Sequence, residues 1–512
     1  MIKRVEIKIS PKLVLSKGEI KNKISNTFNI KKSRINHIEI IKKSIDARSK
    51  NIKYNLIIDI YIDEKFIEKT KIIRYKNVHN SKEVFIIGAG PAGLFAALKL
   101  IERGIKPIIF ERGKKIRDRR RDIAQLTNNH IVNVDSNYCF GEGGAGTFSD
   151  GKLYTRSKKK GDIMNILDIL IQHGADKNIK IDAHPHIGTN KLPKIITSIR
   201  DTIINFGGEI NFNSKLTNIK ITNNKIHSIE INKNKIIKVS KLILATGHSA
   251  RDIFKLLHKK EIKIEAKEFA LGVRIEHKQK LIDQIQYKCK ERSEYLPPSQ
   301  YSIKKQINGR GIFSFCMCPG GIIAPCATEK GQVVTNGWSP SKRDYPSSNS
   351  GIVVEIKTED LKKFKKYGPL AGVYFQEEIE RKACLLAGGS QKVPAQRLLD
   401  FIDNKLSENI PLTSYIPGTT SVKITELFPA FINNTLKNGF IKFGKKMKGY
   451  LTNDAIIHAP ETRTSSPVRI PRNKNTLEHE EISGIYPCGE GAGYAGGIVS
   501  AAIDGERCAN KC

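Results

Sequence analysis

"EVFIIGAGPAGLFAALKLIERGIKPIIFERG", residues 83–113, decides the fold. Val84–Ile87 is a short run without a polar residue, as a strand buried on both faces of a parallel sheet requires. Gly88, Gly90 and Gly93 supply a tight turn, a close backbone approach to a pyrophosphate, and close helix–strand packing. Pro91 opens the next helix, where a missing N–H costs nothing, and Ala92 follows it. That helix N-terminus offers unsatisfied N–H groups and a partial positive charge to phosphates. Leu94, Leu98 and Ile101 keep an apolar stripe against the sheet. A second strand, 106–110, ends on Glu111, with Arg112 beside it. A carboxylate there suits the hydroxyls of an adenosine ribose and repels a 2′-phosphate, which argues against NADP. A glycine turn alone says little. With strand, helix, second strand and acid all in place, the stretch predicts a dinucleotide-binding Rossmann unit.

Working outward, 512 residues exceed one core, so two or three domains are expected. Alternating patterns at 2–9, 35–45 and 52–62 surround a helical stretch at 17–28, giving a β-α-β-β module of ferredoxin-like type over residues 1–78. The dinucleotide domain is expected over 81–265 and again over 481–512. Between them, 266–480 reads as an inserted mixed α+β domain with Gly, Pro and Ser between short strands. No apolar run is long enough to span a membrane, and "MIKRVEIKIS" lacks the apolar region of a signal peptide. Nine unevenly spaced cysteines do not form a disulfide framework. The expectation is a soluble, cytoplasmic protein. The net charge of +37 comes with Ile and Asn throughout, as in "ITNNKIHSIEINKNKIIK", and reads as compositional drift rather than a specific nucleic-acid surface. Only the first ~75 residues and Arg117–Arg121 are locally basic enough to suggest a nucleic-acid grip.

The far end of the chain chooses the dinucleotide. "EISGIYPCGEGAGYAGGIVSAAIDGERCA" (481–509) reads as a strand over 484–488, Gly489–Glu490, and a helix starting at Gly496, Gly497 and Ile498. This resembles the second FAD signature of the glutathione-reductase superfamily, where an acid at that place holds the ribityl chain. Here it is Glu490, one methylene longer than the usual aspartate. "KLILATG" (241–247) is similar to the strand of that superfamily whose Ala245, Thr246 and Gly247 would pass beneath the cofactor. "FGEGGAGTFSDGKLYTR", "HPHIGTNKL", "ATGHSARD", "GVRIEH", "FCMCPGG", "ETRTSSPVRI" and "GEGAGYAGGI" together resemble one bacterial family, the FAD-dependent dehydrogenases with an N-terminal ferredoxin-like extension. The resemblance covers nearly the whole chain and is weakest in the first 80 residues. It implies an α/β fold with α+β parts: a Rossmann-type FAD domain interrupted by a second domain, plus the small N-terminal module. It implies no substrate.

Several stretches could carry chemistry. "GEGGAGTFSDGKL" (141–153) is too glycine-rich for an ordinary loop, and its backbone can approach a flat ring. Gly143, Gly144, Gly146, Thr147 and Ser149 are expected to line the flavin; a second phosphate-facing turn is the alternative. Lys152 could stabilise anionic reduced flavin, or be a solvated lysine. His248, Arg251 and Asp252 follow the sheet strand at its C-terminal end, where such sheets bind ligands, and His248 and Arg251 join Lys152 as candidate catalytic residues. His184, His186 and His277 are weaker candidates, and no metal site is expected. Cys316 and Cys318, with Cys326 nearby, allow a redox dithiol, a metal site or plain buried thiols, and plain thiols are favoured because a C-x-C ring is small and strained. "ETRTSSPVRI" is either a substrate clamp or a structural salt-bridge knot.

These features point to an FAD-dependent oxidoreductase moving hydride between a small-molecule substrate and flavin N5, with NAD(P)H a transient reductant at most because no second dinucleotide turn exists. The alternatives are an FAD-dependent RNA-modifying protein that grips RNA with the basic module, and a non-catalytic flavoprotein. Oligomeric state is not legible.

Overall fold

In the computed structural model the described residues are 1–68, 71–154 and 161–512; Thr155–Arg156, the end of one quoted motif, lie outside them. The Rossmann unit is a five-stranded sheet. Its order is Ile485–Pro487, Leu242–Leu244, Glu83–Ile87, Lys106–Phe110, Glu209–Asn211, every pairing parallel. Glu83–Ile87 is buried along its apolar length, as its lack of polar residues requires. The helix Pro91–Arg103 begins with proline in its first turn and ends at Gly104 in the left-handed region. Gly93 is needed for packing: a Cβ there would stand 1.9 Å from the Gly88 carbonyl oxygen. The terminal helix Ile498–Lys511 packs on this first helix, and the contact is so close that a Cβ at Gly505 would meet the Ala92 carbonyl oxygen at 2.1 Å. First and last parts of the chain therefore close one core.

The middle of the chain builds a seven-stranded sheet on which the long helices Ala371–Leu386 and Ala430–Lys446 pack. Its central strands Phe269–Lys278, Ser347–Ile356 and Ile456–Glu461 run antiparallel and bury Leu271, Val273, Ile352, Val354 and Ile457 in one apolar cluster. Arg310–Cys318 pairs with Ser347–Ile356 and carries its C-terminal end towards the dinucleotide domain.

The N-terminal residues form strands Ile2–Ile9, Ile35–Asp46 and Lys53–Ile62 with the helix Lys17–Phe28. The third strand lies between the other two and is antiparallel to both, which is the β-α-β-β half of a ferredoxin-like plan. Among the described residues no fourth strand joins this sheet. The core of this unit is completed from elsewhere, by Tyr287 and Leu296 of the middle segment. Lys43 also exchanges backbone hydrogen bonds with Ile181 and Ala183. No helix of the described residues is long and apolar enough to cross a membrane.

Candidate functional site

A cleft with a cavity volume of about 380 Å3 runs from the C-terminal ends of the parallel strands to the edge of the seven-stranded sheet. At one end Gly88, Gly90, Pro91 and Ala92 form its floor. Gly90 has open space beside it: a Cβ there would meet only the Gly144 Cα, at 3.8 Å. Glu111, Arg112, Phe110, Phe140 and Leu216 close this end. Glu111 is buried and accepts three backbone hydrogen bonds of 2.9 Å, from Ala89, Gly113 and Gly141, so it ties three turns together at the cleft wall. Arg112 lies over the Phe140 ring and is held by Asp135 and Asp252. Ala245, Thr246 and Gly247 line the cleft between the ends.

At the other end the glycine loop meets the start of the terminal helix: Gly144, Gly146, Ser149 and Lys152 face Gly496, Gly497, Ile498 and Glu490 across the cleft. Two helix N-termini thus converge on it, at Pro91 and at Ile498. The loop is shaped by Arg119, which sequence reasoning placed in a basic cluster. It is fully buried and donates to the carbonyls of Asn137, Tyr138, Glu142 and Gly144. Nothing local in the sequence marks it, because its acceptors are main-chain oxygens more than fifteen residues away.

Ionisable groups gather here. The Glu490 carboxyl is pushed up to about 7 by burial, against the pull of Lys267. His248 stands 3.9 Å from it, its ring pushed down to about 4 by burial and by Arg463 and Arg251. Lys152 Nζ lies 3.2 Å from Asp150 and 3.6 and 3.7 Å from the sulfurs of Cys316 and Cys318. Burial works against its charge, but those sulfurs and Asp150 hold it above the ordinary lysine value. Cys316, Phe315, Arg463 and Thr464 complete the wall.

Some expected site residues sit elsewhere. Gly143 and Thr147 turn into the protein: Gly143 donates to the Ala89 carbonyl, and the buried Thr147 hydroxyl donates to that of Glu142. Gly93 is packed behind the turn. Gly489 lies below the cleft, its N–H on Asp504, which Arg472 also holds, so the close trio Cys488, Asp504 and Cys508 has its carboxylate already engaged. Arg251 does not line the cleft. It is buried in a bidentate pair with Glu380 of the middle segment, 2.7 and 2.8 Å, because a guanidinium removed from water needs a matched carboxylate. Arg463 bonds the same Glu380, and Glu461 pairs with the fully buried Arg274. "ETRTSSPVRI" is therefore mainly the structural knot, and only Arg463 and Thr464 reach the cleft. His186 bonds the Ser341 carbonyl, His184 leans on Tyr154, and His277 is buried against Tyr450, all off the cleft.

An elongated dinucleotide fits this arrangement: glycines open onto the cleft, two helix N-termini face it, and apolar walls close the end beside Glu111. Residues 81–130 match the FAD binding domain family, and residues 268–464 match the family described as FAD-dependent protein, C-terminal domain-like. Residues 1–61 match a domain of unknown function. A Clostridium beijerinckii protein described as uncharacterized is 41% identical to this chain, covering 96% of it and 95% of its own length. The chain belongs to the bacterial family of FAD-dependent proteins. The Gly88–Ala92 turn and the Glu490–Ile498 segment of this FAD-dependent protein bracket the cleft, and FAD chemistry makes it an oxidoreductase in class. A dual trans-enoyl reductase/FAD-dependent monooxygenase of Aspergillus terreus is 39% identical over 59 residues, covering 12% of this chain and 8% of its own. Among solved structures, CtdE in complex with FAD is similar at TM-score 0.32 and 12% identity, covering 84% of each chain. Glycine oxidase from Bacillus cereus is similar at TM-score 0.30 and 15% identity, covering 85% of this chain and 94% of that one.

Proposed function

We propose that this protein moves a hydride between a small-molecule substrate and FAD, with reduced pyridine nucleotide docking only transiently, if it is the donor, and that it works in the cytoplasm without a membrane or a specific nucleic acid. The observation that carries this reading is the clustering of Glu490, His248 and Lys152 at the same end of the cleft as the glycine loop and the terminal-helix N-terminus. Bound FAD supplies two-electron chemistry at its N5 position. Gly88, Gly90 and the first turn of Pro91–Arg103 would hold the pyrophosphate, and Glu111 and Arg112 the adenosine end. Gly144, Gly146 and Ser149 would lie against the ring, and Gly497 and Ile498 would present helix N–H groups to its polar edge.

Proton handling falls to Glu490. A carboxyl raised to about 7 can take or give a proton at working pH, which an ordinary glutamate does poorly. His248, pushed down to about 4, stays neutral beside it, 3.9 Å away. Lys152 keeps its ammonium and favours an anion beside it. The test is anaerobic mixing of the yellow protein with NADH, NADPH and a panel of metabolites, followed at the flavin absorbance. A compound that bleaches the flavin at a turnover-competent rate supports the reading. A flavin that no compound bleaches, and that stays oxidised under all of them, would overturn it.

A further inference from the structure

Cys316 and Cys318 have no part in holding the cofactor or in the proton path, yet they are placed with care. Cys316 lines the cleft next to Phe315, and Cys318 is buried two residues further on. Their strand, Arg310–Cys318, keeps register with Ser347–Ile356 through Phe315 and regains it only at Cys318. Cys316 itself has φ of +46°, in the left-handed region. A flat strand would hold cysteines at i and i+2 stretched apart. The bulge breaks the regular strand spacing between them, and both sulfurs reach the same partner.

Both sulfurs converge on one cation, the Lys152 ammonium, at 3.6 and 3.7 Å. Lys152 is held there by Asp150, itself paired with the buried Arg343 at 2.8 Å, and by a backbone bridge to His186. Arg274 adds a second positive group, donating to the Cys316 carbonyl. The Cys318 thiol donates to the Cys316 carbonyl at 3.2 Å. The neighbouring Cys318 thiol, helped by Lys152 and against the effect of burial, lowers Cys316 below the ordinary thiol value while Cys318 is raised. A half-buried thiol at the cleft wall, beside a fixed ammonium and with a protonated partner behind it, is the setting of a reactive cysteine rather than of packing sulfur.

We propose that Cys316 and Cys318 are a redox pair exchanging two electrons with the flavin, so that disulfides and dithiols are a substrate class of this enzyme. The inference rests on the oxidoreductase reading and deepens it. In the oxidative direction a Cys316 thiolate and a Cys318 thiol lose two electrons and one proton, and an S–S bond forms between them. Both electrons and the proton would pass to bound oxidised FAD, the two-electron acceptor beside the pair. In the reverse direction the pair would receive two electrons and one proton from reduced flavin, its S–S bond breaks, and it becomes thiolate and thiol. That reduced pair attacks an external disulfide, whose S–S bond breaks to release one thiolate and one thiol while the internal S–S bond re-forms. Lys152 balances whichever sulfur is anionic.

The experiment is an anaerobic reductive titration of air-oxidised holoenzyme with dithionite, monitored at the flavin absorbance. The wild type is expected to take up four electrons per FAD, and Cys316→Ser and Cys318→Ser only two, with the yellow colour of both variants showing that they fold and hold flavin. A second readout needs no turnover: mass spectrometry after iodoacetamide should find Cys316 alkylated in the reduced protein and protected in the oxidised one. Lys152→Gln should shift the onset of that alkylation to higher pH. Uptake of only two electrons by the air-oxidised wild type, still two after prior oxidation with diamide, or equal labelling in both states, would overturn the proposal. A wild type that carries no flavin would remove the oxidoreductase reading and the redox pair with it; four-electron uptake without bleaching by any metabolite would leave the pair standing alone.

Discussion

Glu111 shows how one residue can serve both fold and ligand. Its carboxylate already receives three main-chain N–H groups, so it organises the turn even before a ribose arrives. Hydrogen bonds to a charged group are worth about 1.5–3 kcal/mol each. Glu111→Ala should therefore weaken FAD binding by at least ten-fold and also lower the melting temperature of the apo-protein. Titration of apo-protein with FAD and a thermal scan without it check the two effects separately. Glu490 makes a pH-dependent prediction. With its carboxyl raised to about 7, the wild-type rate of flavin reduction should bend near pH 7, and Glu490→Gln should remove that bend. The same shift touches stability. The unfolded chain ionises this group near ~4.3, so the folded state binds more protons between there and about 7, and stability falls as pH rises through that window. Glu490→Gln should flatten the corresponding slope in urea midpoints measured from pH 4 to 8.

At the scale of elements, the dinucleotide domain and the seven-stranded sheet are bolted together through Glu380 on the helix Ala371–Leu386, gripped by Arg251 from one side and Arg463 from the other. Burial alone would raise that carboxyl, but the two guanidinium groups outweigh it and hold it down to about 2. Its stabilising contribution is complete above the ordinary glutamate range and is lost as pH falls from about 4 towards 2. Breaking a buried pair costs about 3–5 kcal/mol, and Arg251→Ala should fall at the low end because Arg463 remains. The check is the urea midpoint of the holoenzyme, which should drop while flavin absorbance in native buffer is retained. This bolt was illegible in the sequence, since Arg251 and Glu380 belong to separate motifs and meet only through tertiary packing. The same holds for Arg119 and for Lys152 with its two sulfurs. What the sequence did reveal were local periods: Ile2–Ile9, Lys17–Phe28 and Lys106–Phe110 stand where alternation, helical spacing and an apolar run put them. The strand expected over 241–247 is shorter, Leu242–Leu244, because Ala245–Gly247 leave the sheet to line the cleft. In the glycine loop, composition foretold a close approach to a ring but not which residues face it. Gly143 and Thr147 are turned inward by hydrogen bonds that composition does not encode.

For the molecule as a whole, the charge of +37 and the N-terminal unit raise the question of RNA. Arg119 of the basic cluster is buried and occupied, so it is not available to a nucleic acid. Binding to bulk RNA should be weak, and filter binding at two salt concentrations should show it lost at physiological salt, as counterion release requires. A defined tRNA or rRNA fragment that outcompetes bulk RNA at that salt would count against this. Among the described residues the N-terminal unit contributes none to the cleft, so a chain starting after residue 78 should still be yellow. It should also aggregate more readily than the full chain, because Tyr287 and Leu296 lose their apolar cover. Light scattering on both proteins at equal concentration tests that.

The shared core has a further consequence, in the order of synthesis. Strands Ile2–Ile9 to Lys53–Ile62 leave the ribosome first, yet their apolar side is finished only when Tyr287 and Leu296 have been made. At about 5–20 residues per second, that leaves an open sheet waiting for roughly ten to forty-five seconds. The nascent chain must carry an uncovered apolar face for nearly half of its translation, and slowing the ribosome between those two points should send more of this protein to chaperones than slowing it later.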